Sequence, residues 1–295
     1  MEEHPFPHYK QLADKLFEAN MARRYSDEWM EQVVGAIGFG WDDDAIQHGY
    51  LDPLYEYFDL HTQRWGPVFA SLLIESQGYD PASAGYCLTA LEIYHLSSLM
   101  LNPEVNRRKQ ARDGNAKPLP LPVLVTLAYT ARQYAPVLAD LQKDILTNDN
   151  RAWLVYRFSR ALSLQGIRHA VNKWNEQHPA VSAGGEYWDE VFRTSNAQFL
   201  KLAADVALAV TNQVNAPFAN SLHAAAARLS GTYSIIMKMA DDTAQQGGVE
   251  KLETEIANIN KELEHLPPAF ANAFQDFIHK AIAPAMATAD KMIYA

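Results

Sequence analysis

Asp241 and Asp242 are the residues of this sequence best placed to do chemistry. They follow an apolar helical stretch, Leu229 to Ala240 (LSGTYSIIMKMA), and so stand near a helix C-terminus. Free carbonyl groups already make the potential negative there, and carboxylates oppose the helix dipole. Such a pair is either solvated surface or points into a cavity or toward a cation, and the opposing dipole favours the second. A second acidic run, Asp42-Asp43-Asp44, follows Trp41 and precedes an apolar helical stretch. Acids at a helix N-terminus are favoured by the free N–H groups and the dipole, so capping accounts for these three without a metal. Asp242, Gln246 and Glu250 fall at i, i+4 and i+8, the spacing of one helix face, but Gly247-Gly248 interrupts that face.

The chain around these residues has 295 residues, 48% of them hydrophobic and 20% charged, with a net charge of −10. That is enough apolar material for a large core. The acidic balance and the lack of any Lys/Arg run exclude the basic footprint of a nucleic-acid binder. Cys87 is the only cysteine, which excludes an intrachain disulfide and a cysteine-based zinc site and points to a small apolar residue on a buried helix face. The first fifteen residues, Met1 to Lys15, are polar and mixed in charge, unlike a secretory signal. No window approaches the roughly 20 uninterrupted apolar residues of a membrane helix. The expectation is a soluble cytoplasmic protein.

The elements that must position the acids are helical. Apolar residues recur three and four apart from Gln198 to Val214, from Trp153 to Trp174 and from Ala219 to Met239. Val249 to His265 (VEKLETEIANINKELEH) reads as an amphipathic helix stopped by Pro267 and Pro268. Asp80-Pro81 opens a helix, Lys117 to Pro122 (KPLPLP) is a rigid connector, and Gly184-Gly185 is a turn. No repeat and no domain boundary stands out, so residues 1–295 read as one all-α domain. Several helices are apolar around much of their circumference, as in a large single bundle of about ten helices.

One of these helices carries a resemblance. Ala90 to Arg108 reads ALEIYHLSSLMLNPEVNRR and is similar to the polyprenyl synthetase (trans-isoprenyl diphosphate synthase) pattern ALExIHxxSLIHDDxxD followed by paired arginines. Ala90, Leu91, Glu92, His95, Ser98 and Leu99 match in order, and Arg107-Arg108 fall in place. Leu229 to Asp242 resembles the later helix that ends in an FQxxDD-type motif. Arg193-Thr194 stands where that family has Lys-Thr, and Gln63 to Pro67 (QRWGP) where it has GKRxRP. These landmarks span roughly residues 50 to 250. The resemblance implies an isoprenoid synthase-like bundle around a deep central cavity, commonly dimeric.

It also implies the chemistry. In the family two DDxxD motifs face each other, and Mg²⁺ ions bridge them to a diphosphate that leaves as the allylic carbon becomes cationic. Basic residues hold a second diphosphate. By this resemblance the diphosphate-binding positions are Arg64, His95, Arg107, Arg108, Arg193, Thr194 and Lys238. Asp241 and Asp242 are the metal positions, with Asn102 and Asn106 as uncharged remnants of the first motif. The departures are extensive. The first motif has become Asn102-Pro103-Glu104-Val105-Asn106, with no aspartate left, and Pro103 costs a helix interior about 3 kcal/mol outside its first turn. Gln63 and Gly66 replace basic residues, Lys238 replaces Gln, and Arg193 replaces Lys. His169 and Asn172 fall near the family's GQxxD position in a loose alignment.

Ordinary chain elongation needs both metal walls and the basic clamp, and these departures argue against it. The expectation is an atypical protein that processes isoprenoid diphosphates with Mg²⁺, as a prenyltransferase with an unusual acceptor or as a terpene cyclase. Two alternatives stay open: a non-catalytic regulatory partner of a fully equipped prenyl diphosphate synthase, and an isoprenoid- or lipid-binding protein. The expected partners are an isoprenoid diphosphate and a second subunit, identical or a full-motif synthase.

Overall fold

Asp80 and Pro81 begin a helix by two complementary devices. The Asp80 carboxylate accepts the Ala82 N–H at 2.9 Å, and Pro81 occupies a first-turn position whose N–H would otherwise lack a partner. The resulting 3₁₀ turn, Pro81–Ala84, runs into a sixteen-residue α-helix, Gly85–Met100. The computed structural model describes residues 4–21, 64–100, 135–161, 198–241 and 248–283. In chain order their helices are α1 (Pro7–Met21), α2 (Trp65–Ser76), α3 (Gly85–Met100), α4 (135–141), α5 (148–161), α6 (Gln198–Val210), α7 (Ala219–Asp241), α8 (Gly248–Leu263) and α9 (Pro268–Phe277). The last continues into a π-helical turn, Ile278–Ile282. No strand occurs among the described residues, and the all-α expectation holds.

Helix ends follow from local sequence. Gly78, at φ 79°, closes α2: its N–H donates to the Glu75 carbonyl at 2.8 Å and the Tyr79 N–H to that of Ile74 at 3.4 Å. Asn212, at φ 57°, closes α6 in the same way, with the Gln213 N–H donating to the Leu208 carbonyl at 2.7 Å. This left-handed turn stops α6 at Val210, short of the Val214 that apolar spacing suggests. Pro267 and Pro268 end α8 by starting α9, as the cap and first-turn residues of the new helix.

Three helices form the centre. Along α3, Cys87, Leu88, Ala90, Leu91, Ile93, Tyr94 and Leu96 are all buried, which takes in every side of the helix. From Leu202 to Val210 every residue of α6 is buried, and four of them are alanines that let neighbouring helices approach closely. Helix α2 buries Pro67 to Ser71 with Leu73 and Ile74, and packs against α1, α3, α6 and α9. Helix α8 lies on α7, burying Ile259 and Leu263, and Arg228 of α7 donates to Glu255 of α8 at 3.1 Å. Cys87 is a buried apolar residue, as its sequence context suggests, and burial raises its thiol pKa far above the usual range.

Candidate functional site

Among the described residues, Arg64 is the first by size of the fully buried side chains. It precedes α2 in the left-handed region (φ 52°, ψ 33°), which costs a non-glycine residue on the order of 1 kcal/mol. Its carbonyl accepts the first helical bond of α2, from Val68 N–H at 2.9 Å. The guanidinium is 2% exposed, donating from Nε to Asp14 of α1 at 2.8 Å and from Nη1 to Glu92 of α3 at 2.7 Å. The Phe17 ring lies 5.0 Å from its Cζ. Glu92 is itself 1% exposed. A buried charge survives only when paired and hydrogen-bonded, so this ion cluster locks α1, α2 and α3 to one another. The resemblance marks Arg64 as a diphosphate ligand; in the fold it is held by two carboxylates.

His95, one turn beyond Glu92, lies against the Phe199 ring of α6, with centroids 4.6 Å apart. Its Nδ1 is shut off from solvent. Burial, and then the positive charge of Arg64, lower its pKa from 6.5 to about 4. The imidazole is therefore neutral at pH 7 and brings hydrogen bonding, not charge. A pH dependence follows. Between pH 6.5 and 4 the unfolded chain binds a proton here that the folded chain refuses, so stability falls as pH drops through that window. The expected loss is on the order of 2 kcal/mol, read as a fall in the urea midpoint from pH 7 to pH 4. A His95→Gln variant should show a smaller fall, and equal falls in both proteins would contradict the assignment.

Phe199 also explains Gly66. A Cβ at position 66 would sit 2.6 Å from Phe199 Cζ and 2.7 Å from Cε2. The absent side chain is the room in which the ring lies. At a position where the resemblance expects a basic residue, the protein thus has an aromatic face packed between α2 and His95.

Asp241 is the final residue of α7 and Lys238 lies one turn earlier, both in regular helical backbone. The first acid of the pair therefore stands at the helix C-terminus, where its spacing put it. Asn102, Asn106, Arg107, Arg108, Arg193, Thr194 and Asp242 lie outside the described residues, as do Asp42 to Asp44, Lys117 to Pro122, His169, Asn172 and Gly184-Gly185. Among the described residues no three His, Cys, Asp or Glu side chains gather as a metal site, and no helix is long and apolar enough to cross a membrane. The structure therefore brings Arg64, Glu92 and His95 together. Sequence reasoning missed Asp14 and Phe199 as their partners, because neither carries a motif.

No protein-family model matches the chain, nor does any curated protein. Solved structures do. A geranylgeranyl pyrophosphate synthetase from the archaeon Geoglobus acetivorans matches with a TM-score of 0.51 over 97% of this chain and 89% of its own, at 13% identity. A geranyltransferase from Legionella pneumophila matches with a TM-score of 0.51 over 97% of this chain and 98% of its own, also at 13% identity. The chain has the isoprenoid synthase fold. Within that fold, a low identity leaves the helical frame in place while its side chains change. Arg64, Gly66 and His95 are packed into that frame by contacts among α1, α2, α3 and α6.

Proposed function

We propose that this protein engages isoprenoid diphosphates as an atypical relative of the polyprenyl synthetases, a prenyltransferase with an unusual acceptor or a terpene cyclase. The observation that carries this reading is the fold itself, shared with two prenyl diphosphate synthases over 97% of the chain, with an acid at the C-terminal end of α7. Asp241 and Asp242 would hold Mg²⁺ together with the oxygen atoms of Asn102 and Asn106. Asp241 fits such an ion by donor type, since the carbonyl end of α7 and its carboxylate are both oxygen donors of negative potential. Bound there, Mg²⁺ would neutralise charge on a leaving diphosphate. Arg107, Arg108, Arg193, Thr194 and Lys238 are the remaining polar contacts for phosphate oxygens, with His95 as an uncharged donor or acceptor.

A second reading has its own support. With Arg64 held by Asp14 and Glu92, His95 neutral, and Phe199 over Gly66, the α2–α3–α6 region is built for packing. That favours a regulatory subunit paired with a full-motif synthase, or an isoprenoid-binding protein.

Diphosphate release, measured with Mg²⁺ and geranyl, farnesyl or geranylgeranyl diphosphate, with and without isopentenyl diphosphate, tests both. The first reading expects turnover that EDTA removes and that an Asp241→Ala/Asp242→Ala variant lacks, a loss of at least a hundredfold, with product extraction separating transferase from cyclase. Silence alone, but an altered product length when a full-motif synthase is added, establishes the regulatory subunit. Silence in both arms leaves the isoprenoid-binding protein.

A further inference from the structure

Asn150, Arg157 and Asp205 fix how α5 lies against α6. The Asn150 amide donates to the Ala209 carbonyl at 3.1 Å and to Asn212 Oδ1 at 2.9 Å. Two turns on, Arg157 donates from Nε to Asp205 Oδ2 at 2.8 Å and from Nη2 to Asp205 Oδ1 at 3.2 Å. Residue numbers rise on one helix as they fall on the other, so the pair is antiparallel. Arg160 follows Arg157 by one turn on α5, and Lys201 precedes Asp205 by one turn on α6. The same register therefore brings Arg160 and Lys201 to one level, on the faces that already meet.

Among the described residues the charges at this seam do not balance. Asp205, 1% exposed, answers Arg157, and His223 Nε2 lies 2.5 Å from its Oδ1. Trp153 supports the arrangement, with the Arg157 Cζ 5.4 Å from its ring and His223 stacked at 6.3 Å and 18°. Arg157 is thus held in place, with Nη1 left without a carboxylate among the described residues. Neither Arg160 nor Lys201 makes an ion pair among the described residues. Lys201 is half-buried, and burial, then Arg157 and Arg160, push its pKa down against the opposing pull of Asp205. A half-buried ammonium beside two guanidiniums is unfavourable unless something neutralises it. That this occurs in a chain of net charge −10 makes the local excess more pointed.

We propose that Arg157, Arg160 and Lys201, on the meeting faces of α5 and α6, form a binding site for a phosphate-class anion. The site is distinct from the acid pair of α7: roughly 27 Å of helix axis separates His223, at its base, from Asp241. Three cations within two helical turns fit the oxygens of one phosphate or diphosphate group, with Nη1 of Arg157, whose Nε and Nη2 are held by Asp205, as the directional donor. The cluster is too confined for the extended contact an acidic polypeptide makes.

The test is calorimetric titration of the full chain with inorganic phosphate and with inorganic diphosphate, in EDTA and at constant ionic strength. Wild-type protein and an Asp241→Asn/Asp242→Asn variant should bind alike, because the acid pair is not involved. Arg160→Gln/Lys201→Gln should weaken binding at least tenfold. Without the anion that variant should melt no lower than wild type, since it removes repulsion and breaks no ion pair among the described residues. Should the double variant fold poorly, Lys201→Gln alone serves, with a smaller loss expected. Unchanged affinity in either basic variant overturns the proposal, and so does absence of phosphate and diphosphate binding by the wild type. These outcomes are independent of turnover with allylic diphosphates, so failure here leaves the proposed function standing.

Discussion

Replacing Glu92 by alanine is expected to destabilise the protein by about 3–5 kcal/mol, the cost of leaving a buried charge without its partner. Arg64 is 2% exposed and Glu92 1%, so water cannot take over the role of the lost carboxylate. Asp14 remains within 2.8 Å of Arg64 Nε but is itself 39% exposed, and one partly solvated carboxylate does not replace two. The measurement is the urea unfolding midpoint of Glu92→Ala against wild type at pH 7. An Arg64→Met/Glu92→Leu double variant should recover most of the loss, because a buried ion pair and a well-packed apolar pair of similar volume are close in free energy. A single variant within 1 kcal/mol of wild type would show that Arg64 is solvated in solution.

Phe274→Ala is the second large effect expected, about 3–5 kcal/mol, from lost burial and the cavity left behind. Phe274 is fully buried, with its ring perpendicular to that of Phe69 at 5.0 Å. Phe277, on the next turn, contacts Phe69 at 4.8 Å, Trp65 at 5.5 Å and Phe6 at 5.9 Å. This aromatic cluster fastens α9 to α2 and closes the segment before α1 over both. Phe274→Leu should cost appreciably less than Phe274→Ala, since it leaves most of the volume filled. Equal losses in the two variants would mean that ring geometry, not volume, holds α9. Because α2 begins at Arg64, loosening α9 bears on the same helix that carries the ion cluster.

The periodicity of this sequence, its capping residues and its prolines were sufficient to place helices among the described residues, though not to end α6 at Val210. Asp80 with Pro81, Gly78 and the Pro267-Pro268 pair act within a few residues of themselves, and local rules suffice where the interaction is local. Asp241 at the end of α7 was legible for the same reason, and the all-α fold followed from apolar spacing alone. What the sequence could not show is which partner each buried polar group meets. Arg64 reads equally well as an anion ligand or as a paired core charge. Contacts with Asp14 and Glu92, 50 and 28 residues away, are what the fold adds to that reading, and no spacing rule links positions so far apart. The room at Gly66 is likewise visible only once Phe199 is packed over it, and His95 is held neutral by burial and by the charge of Arg64. Backbone geometry is set by neighbours in the chain, whereas the charge state and availability of a side chain are set by what folding brings against it. For this protein, the sequence by itself determined the helical frame and one acidic helix end, and the tertiary structure determined which side chains of α1, α2, α3 and α6 meet Arg64, Gly66 and His95.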